Sequence, residues 1–432
     1  MALSYELASR KSLTQAGWLR LLMGAGSALL LAAFFVVMLR QPFETVDDLI
    51  WLNKLGRDSF SSLLLSPAWS VTSSFYRPVA EAVLKTLYAA FGWDPRPYRY
   101  VQFAAIVLLL GLSLQLIRQL RLRQDMIFLL AVFLIGSPFI SGSLAWLSEL
   151  PHVIILICFA AGLVVITSDL PEGRKLAICT AVFAIALLSK ENGMVLAVFL
   201  IYFVRTAPVA SALAFASVVA SYFAIRAFVL GAAMGLSSAD EDVGYFFGFI
   251  TAAEKHEMFP GRAIYQLYAY NVVAQLSAIL VRATAWGQIV GGINREVIIE
   301  AASTVVILVG AAAAYRRHGV VFLVLVAVTV GGAVLSYAYA RDRHLALPGL
   351  AYGFLLAMTA NEISERLARG PTVVLFCIWL AWSAQAGLAM RAMDIASARA
   401  IEEIYRPNVT PPNPRIPIEV WTVAREDALK LR

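Results

Sequence analysis

Long uncharged runs set the pattern of this chain. Residues 21–39, 100–117, 126–148, 150–168, 206–225, 301–315, 319–340, 345–361 and 370–390 hold no Asp, Glu, Lys or Arg. Runs of this kind read as helices that cross roughly 30 Å of hydrocarbon. Between Lys175 and Arg205 lies a further apolar stretch, interrupted once by Lys190-Glu191-Asn192-Gly193. A single helix would hold that Lys-Glu pair near mid-membrane, whereas two short helices with the pair at their turn let both charges reach water. The pattern therefore predicts two helices there. Residues 263–286 resemble another span but carry Gln266, Asn271, Gln275 and Arg282. They suit an interfacial or partly inserted helix better. The expectation is an all-α transmembrane bundle of about eleven spans.

The basic residues orient these spans. Arg10/Lys11, Arg118/Arg121/Arg123, Arg174/Lys175, Arg205, Arg316/Arg317 and Arg366/Arg369 fall on one side if each run crosses once. Short loops rich in Lys and Arg stay cytoplasmic. The first apolar run is flanked by Arg20 and Arg40 and no small-residue cleavage site follows it, so it reads as a retained helix. The domain reading is a transmembrane unit over 1–390 and a non-cytoplasmic tail over 391–432. Two further non-cytoplasmic segments cover 41–99 and 231–300, the second with an acidic tip at Asp240-Glu241-Asp242. Pro407, Pro411, Pro412, Pro414 and Pro417 predict that the tail begins helical and ends extended.

Composition agrees with the pattern: 60% of residues are hydrophobic and 15% charged, outside the range of soluble domains. A net charge of +7 invites thoughts of nucleic acid, but much of that charge sits in short loops between apolar runs, so no nucleic-acid partner is expected. Cys158, Cys179 and Cys377 lie inside apolar runs, which suggests neither disulfides nor a cysteine zinc site.

Chemistry gathers on the side opposite the basic loops. Glu44-Thr45-Val46-Asp47-Asp48 follows the first run directly. Adjacent carboxylates near a membrane surface raise one another's pKa unless a cation or an acceptor uses them; the plainer reading is an Asp cap on a short helix over 49–55. Phe75-Tyr76-Arg77-Pro78 opens a helical pattern that stops at Phe91-Gly92. Arg77 can hold a phosphate bidentately or form a salt bridge to Asp47 or Asp48. Glu149 and His152, Lys190 and Glu191, and Arg341-Asp342-Arg343-His344 share the same predicted face. Snorkelling explains any one of them, but their common sidedness points to a site. His152 and His344 are too few and too far apart in sequence to indicate a metal site.

These residues resemble a family. Asp47-Asp48, Tyr76-Arg77-Pro78 leading to Phe91-Gly92, Trp146 to Glu149 and His152, and Leu188-Ser189-Lys190-Glu191-Asn192 are similar to motifs of the GT-C membrane glycosyltransferases. The nearest likeness is to the transmembrane O-mannosyltransferases with tetratricopeptide repeats, then to protein O-mannosyltransferases and lipid A aminoarabinose transferases. It runs through roughly the first two hundred residues; no repeat array follows the last span in this sequence. The resemblance implies inverting transfer of a hexose, mannose among the candidates, from a polyprenyl-phosphate sugar to an acceptor hydroxyl of a protein, lipid or polysaccharide. It implies Asp47 as the base with Asp48 in support or on a metal. Arg77, Lys190 and Arg341 or Arg343 then hold the donor phosphate, with Tyr76, Glu149, His152, Glu191 and His344 lining the substrate site. A divalent ion (Mg or Mn) is compatible with this chemistry but not required, because the cations can stabilise the leaving phosphate. High alanine content leans toward a bacterial inner membrane, with the site facing the periplasm or exterior. Two other readings compete: a transporter or flippase of an amphiphilic lipid-linked substrate, and a non-catalytic scaffold.

Overall fold

Hydrocarbon offers no water to a stray backbone N–H or C=O, so a chain with these runs must close its hydrogen bonds within helices. The computed structural model describes residues 2–40, 47–68, 75–231, 261, 263–281, 295–337, 342–367, 370–384 and 422, and among them it is helical with no strand. The helices are α1 (Ala2–Leu39), α2 (Asp47–Arg57), α3 (Phe60–Leu63), α4 (Pro78–Phe91), α5 (Pro95–Gln119), α6 (Met126–Gly136), α7 (Pro138–Ala145) and α8 (Leu150–Ile166). They continue as α9 (Glu172–Ser189), α10 (Leu200–Phe203), α11 (Pro208–Leu230), α12 (Ile264–Leu280), α13 (Arg295–Leu335), α14 (Ala346–Leu367) and α15 (Gly370–Ala384). Short 3-10 segments cover Leu147–Glu149, Glu191–Phe199 and Asp342–Leu345.

Five helical stretches are long and apolar enough to cross a membrane: Gly17–Leu39, Pro95–Gln119, Leu147–Ile166, Pro208–Leu230 and Ile298–Leu335. Met126–Gly136, Glu191–Phe203 and Gly370–Ala384 are shorter apolar helices. Leu29, Leu308 and Phe228 point outward at 72%, 69% and 79% exposure, which suits a lipid solvent and not water. These features fit an integral membrane protein.

Helix α13 is two helices joined at a kink. Gly319 takes φ +38° and ψ −98°, a left-handed conformation that favours glycine. A straight helix would hold Thr304 and Gly332 about 42 Å apart. Instead Thr304 Oγ1 lies 2.9 Å from the Tyr352 hydroxyl, and Gly332 packs so closely on Pro348 that a Cβ would strike the ring. Tyr352 and Pro348 are one turn apart on α14, so α13 doubles back at Gly319 as two antiparallel legs.

The Lys190-Glu191 interruption is also a turn. The Tyr202 hydroxyl donates to Glu172 Oε1 at 3.0 Å and lies 2.8 Å from Lys175 Nζ. The chain thus leaves along α9 and returns through Glu191–Phe203 to its starting level. The return leg is mostly 3-10 helix, and Gly193 lies where a Cβ would strike the Ala186 backbone.

One span read from the sequence needs correction. Residues 126–148 form no single helix, because Pro138 pushes Ser137 to an extended conformation (φ −76°, ψ 114°) and α7 starts afresh. The break is repaired from α15: the Trp382 indole N–H donates to Gly136 O at 2.9 Å. Neighbouring helices commonly re-satisfy carbonyls freed at such breaks.

The two ends of the bundle are distinct. At one, Thr167 donates to Gln119 at 2.7 Å, the Arg123 N–H donates to Asn361 Oδ1 at 3.0 Å, and Arg317 pairs with Glu362 at 3.0 Å and Glu365 at 2.7 Å. These loops carry most of the Arg and Lys residues that the sequence assigns to the cytoplasm. Helix α12 approaches from the other end. Asn271 donates to Tyr337 O at 2.9 Å, while Leu280 O accepts from Thr304, thirteen residues short of Arg317. Among the described residues it stops short of the basic end. The acidic tip 240–242, the stretch 282–294 and the tail 391–432, Thr422 apart, lie outside the described residues.

Candidate functional site

Helices α2 and α4 build one wall of the site. Lys54 Nζ sits 2.9 Å and 3.1 Å from the two oxygens of Glu81, and Lys85 donates to Leu55 O. Gly56 lies against the Tyr88 hydroxyl, so residues 54, 55 and 56 approach 81, 85 and 88 in ascending order and the helices run in the same sense. Their N-termini, which carry Asp47-Asp48 and Arg77, come to the same place. Pro78 stands at the first position of α4 and Gly92 (φ +56°) closes it, as the sequence indicated.

From there a chain of polar contacts crosses the bundle end. Asp48, 1% exposed, accepts the Ser148 N–H on Oδ1 at 2.7 Å and so caps the turn that presents Glu149. Glu149 Oε2 bonds His152 Nδ1 and lies 3.6 Å from Lys190 Nζ. The Asn192 amide lies 3.1 Å from His152 Nε2, and Lys190 Nζ is 3.3 Å from Nδ1. If the amide N–H donates to Nε2, the ring proton sits on Nδ1 and goes to Glu149, so Lys190 serves the carboxylate and not the ring. His344, buried in the Asp342–Leu345 turn, has its ring 6.5 Å from that of His152.

Beside this lies a second carboxylate. Glu191 Oε2 accepts from Arg77 Nε at 3.2 Å and Nη2 at 3.0 Å, and Oε1 stands 3.6 Å from Arg226 Nη1. Arg226 donates to the Tyr222 hydroxyl at 3.2 Å. Glu191 is thus a salt-bridge partner of Arg77 that the sequence did not suggest. The returning leg after α9 brings Glu191 under the α4 N-terminus, where no local spacing could have placed it. Arg77 also stacks over Phe75, 4.1 Å from the ring centroid. Tyr76 is buried and donates to Leu64 O at 3.1 Å; burial pushes its phenol above the usual range, so it remains a donor.

Arg77, Glu149, His152, Lys190, Glu191 and His344 therefore meet, with Asp48 attached through Ser148 and Tyr76 at the edge. The Asp47 and Arg343 side chains and the whole of Arg341 lie outside the described residues. Among the described residues no group of three or more His, Cys, Asp and Glu could hold a metal. A metal on Asp48 would draw its other ligands from beyond the described residues.

Sequence reasoning missed Arg226, Tyr222 and the Lys54–Glu81 pair, and left Asn192 without a role. Arg226 did carry a signal. It is a basic residue directly after an apolar run, a position where an unpartnered charge would be costly.

The named cations Arg77, Lys190 and Arg226 match the named carboxylates Asp48, Glu149 and Glu191 in number, all at or below 9% exposure. Such a network is rigid while paired. It can bind an anion by exchanging a carboxylate for it, and can present a carboxylate to a hydroxyl. Comparison of the chain with protein-family models, curated proteins and solved structures finds no match.

Proposed function

We propose that the chain is a membrane glycosyltransferase that moves a sugar from a polyprenyl-phosphate donor to an acceptor hydroxyl, with inversion. One observation carries this reading. Four segments that are far apart in sequence, at Asp48, Arg77, Glu149–His152 and Lys190–Asn192, join in one buried polar network at one end of the bundle. Isolated snorkelling side chains have no reason to converge in this way.

In this reading about eleven spans cross the membrane, the Arg- and Lys-rich loops are cytoplasmic, and the network faces the periplasm or exterior of a bacterial inner membrane. Asp47 takes the proton of the acceptor hydroxyl as that oxygen bonds to the sugar C1. The C1–O bond to phosphate breaks, and polyprenyl phosphate leaves with the electron pair. Arg77, Lys190 and Arg341 or Arg343 stabilise the leaving phosphate. Glu149 and His152 orient Lys190, and Asp48 holds the turn beneath them. The acceptor is a hydroxyl of protein, lipid or polysaccharide.

Comparing glycoconjugates and lipids of cells with and without the protein tests this. Loss of one glycoconjugate with accumulation of its polyprenyl-phosphate sugar is expected; unchanged profiles of both contradict the reading. A second reading, a transporter or flippase of a lipid-linked substrate, draws on the break at Pro138 and on α12, which among the described residues stops short of the basic end, since discontinuous helices line transport sites. It predicts movement of the intact donor across reconstituted vesicles with no cleavage at C1.

A further inference from the structure

Arg226 belongs to none of the motifs that mark the site, yet it is 1% exposed, on the narrow inward face of a largely exposed helix. On α11, Val209, Leu213 and Phe228 are 71%, 64% and 79% exposed, while Tyr222 and Arg226, one turn apart, turn inward. An arginine buried in an apolar helix is costly and is retained where it has work to do. Its neighbour is Glu191, and the two oxygens of that carboxylate are used unequally. Oε2 takes two bonds from Arg77, whereas Oε1 stands 3.6 Å from Arg226 and accepts no hydrogen bond among the described residues.

That asymmetry matters for any phosphate that uses Arg77. The guanidinium edge formed by Nε and Nη2 is one of the two that fit a phosphate bidentately, and Glu191 occupies it. A phosphate can reach that edge only if Glu191 leaves. A buried carboxylate that loses its cation is strongly penalised. Arg226 removes the penalty, because a small rotation of Glu191 brings Oε1 from 3.6 Å into hydrogen-bond range. Tyr222 holds the Arg226 guanidinium at 3.2 Å, and its ring lies 6.2 Å from that of Tyr76, the residue before Arg77.

We propose that Glu191 is a counter-ion shared by two arginines, which swings from Arg77 to Arg226 when the phosphate of a lipid-linked substrate binds Arg77. Arg226 is then a positioning residue that receives Glu191 and does not touch the phosphate. The identity of the anion rests on the transferase reading above; the swing itself rests on the Arg77–Glu191–Arg226 geometry.

The test is a double-mutant cycle on binding of undecaprenyl phosphate to the full-length protein in nanodiscs, with inorganic phosphate and phosphatidylglycerol as parallel probes. Glu191→Gln removes the competitor and should tighten binding by about tenfold, the size of one charge-assisted hydrogen bond. Arg226→Gln should weaken binding by about tenfold in the native background, because Glu191 then has nowhere to go. In the Glu191→Gln background the same change should have little effect, within about threefold. Arg226→Lys keeps the charge and should stay near native affinity, which preserves the test if Arg226→Gln fails to fold. Weakened binding in Glu191→Gln, or an equal loss from Arg226→Gln in both backgrounds, overturns the swing. Inorganic phosphate or phosphatidylglycerol binding as tightly as undecaprenyl phosphate overturns the lipid-linked assignment. Binding is read without turnover, so the two proposals fail separately. Native protein that binds but never transfers sugar sinks the transferase reading alone, and active protein with an additive cycle sinks the swing alone.

Discussion

Asp48 Oδ1 accepts the backbone N–H of Ser148 at 2.7 Å, tying the first turn of α2 to the turn that carries Glu149, one hundred residues further on. Two adjacent carboxylates that look alike in the sequence are thereby given different work. Asp48 is committed to a backbone donor at 1% exposure. In the proposed mechanism this leaves Asp47 as the proton acceptor.

Substitutions at Asp48 should separate structure from chemistry. Asp48→Asn keeps an oxygen for the Ser148 N–H and should unfold near the native temperature, with turnover reduced by less than about tenfold. Asp48→Ala leaves that buried N–H without its acceptor and should cost about 1–3 kcal/mol. Thermal unfolding of both purified variants checks this, and equal stability of the two would remove the capping role from Asp48.

The Lys54–Glu81 pair, with side chains 8% and 1% exposed, should behave as a buried ion pair that sets α2 against α4. Lys54→Met removes this cation from the buried Glu81 and should cost about 3–5 kcal/mol. The exchange Lys54→Glu with Glu81→Lys should recover part of that loss. A double-mutant cycle on unfolding temperature measures the coupling; additive losses would mean the pair is not coupled.

Sidedness follows from the two ends of the bundle. Ser61 is exposed on α3, in the segment that carries the site, and Arg118 is exposed at the basic end. In sealed cells Ser61→Cys should react with an impermeant thiol reagent added outside, and Arg118→Cys should not. A reporter fused at Gly319, the turn between the legs of α13, should read cytoplasmic. Labelling of Arg118→Cys from outside would invert the proposed orientation.

Much of this architecture was legible because apolar runs and charged turns are local signals. The Lys190-Glu191 turn follows from the cost of burying charge, and residues 263–286 were legible as a helix, described over Ile264–Leu280. The break inside residues 126–148 was legible too, in Ser137-Pro138, but a span-length apolar run concealed it. Partners across the bundle were not legible. Arg77 meets Glu191 because the leg after α9 folds back beneath α4, a long-range event without a sequence period. Arg226 was hidden by its helix, whose pattern describes lipid contact and says nothing of the one face turned inward.

Transfer by purified protein, with polyprenyl-phosphate sugar as donor, tests the central claim most directly when the native chain is compared with Asp47→Asn. The substitution keeps size and hydrogen bonding but removes the proton acceptor. General-base contributions are on the order of 10²–10⁴-fold. The account predicts sugar transfer by the native protein and a fall of at least about a hundredfold in Asp47→Asn, with donor binding retained. Near-native turnover in Asp47→Asn would contradict the assignment of the base, and no transfer by the native protein with any polyprenyl-phosphate sugar would contradict the account as a whole.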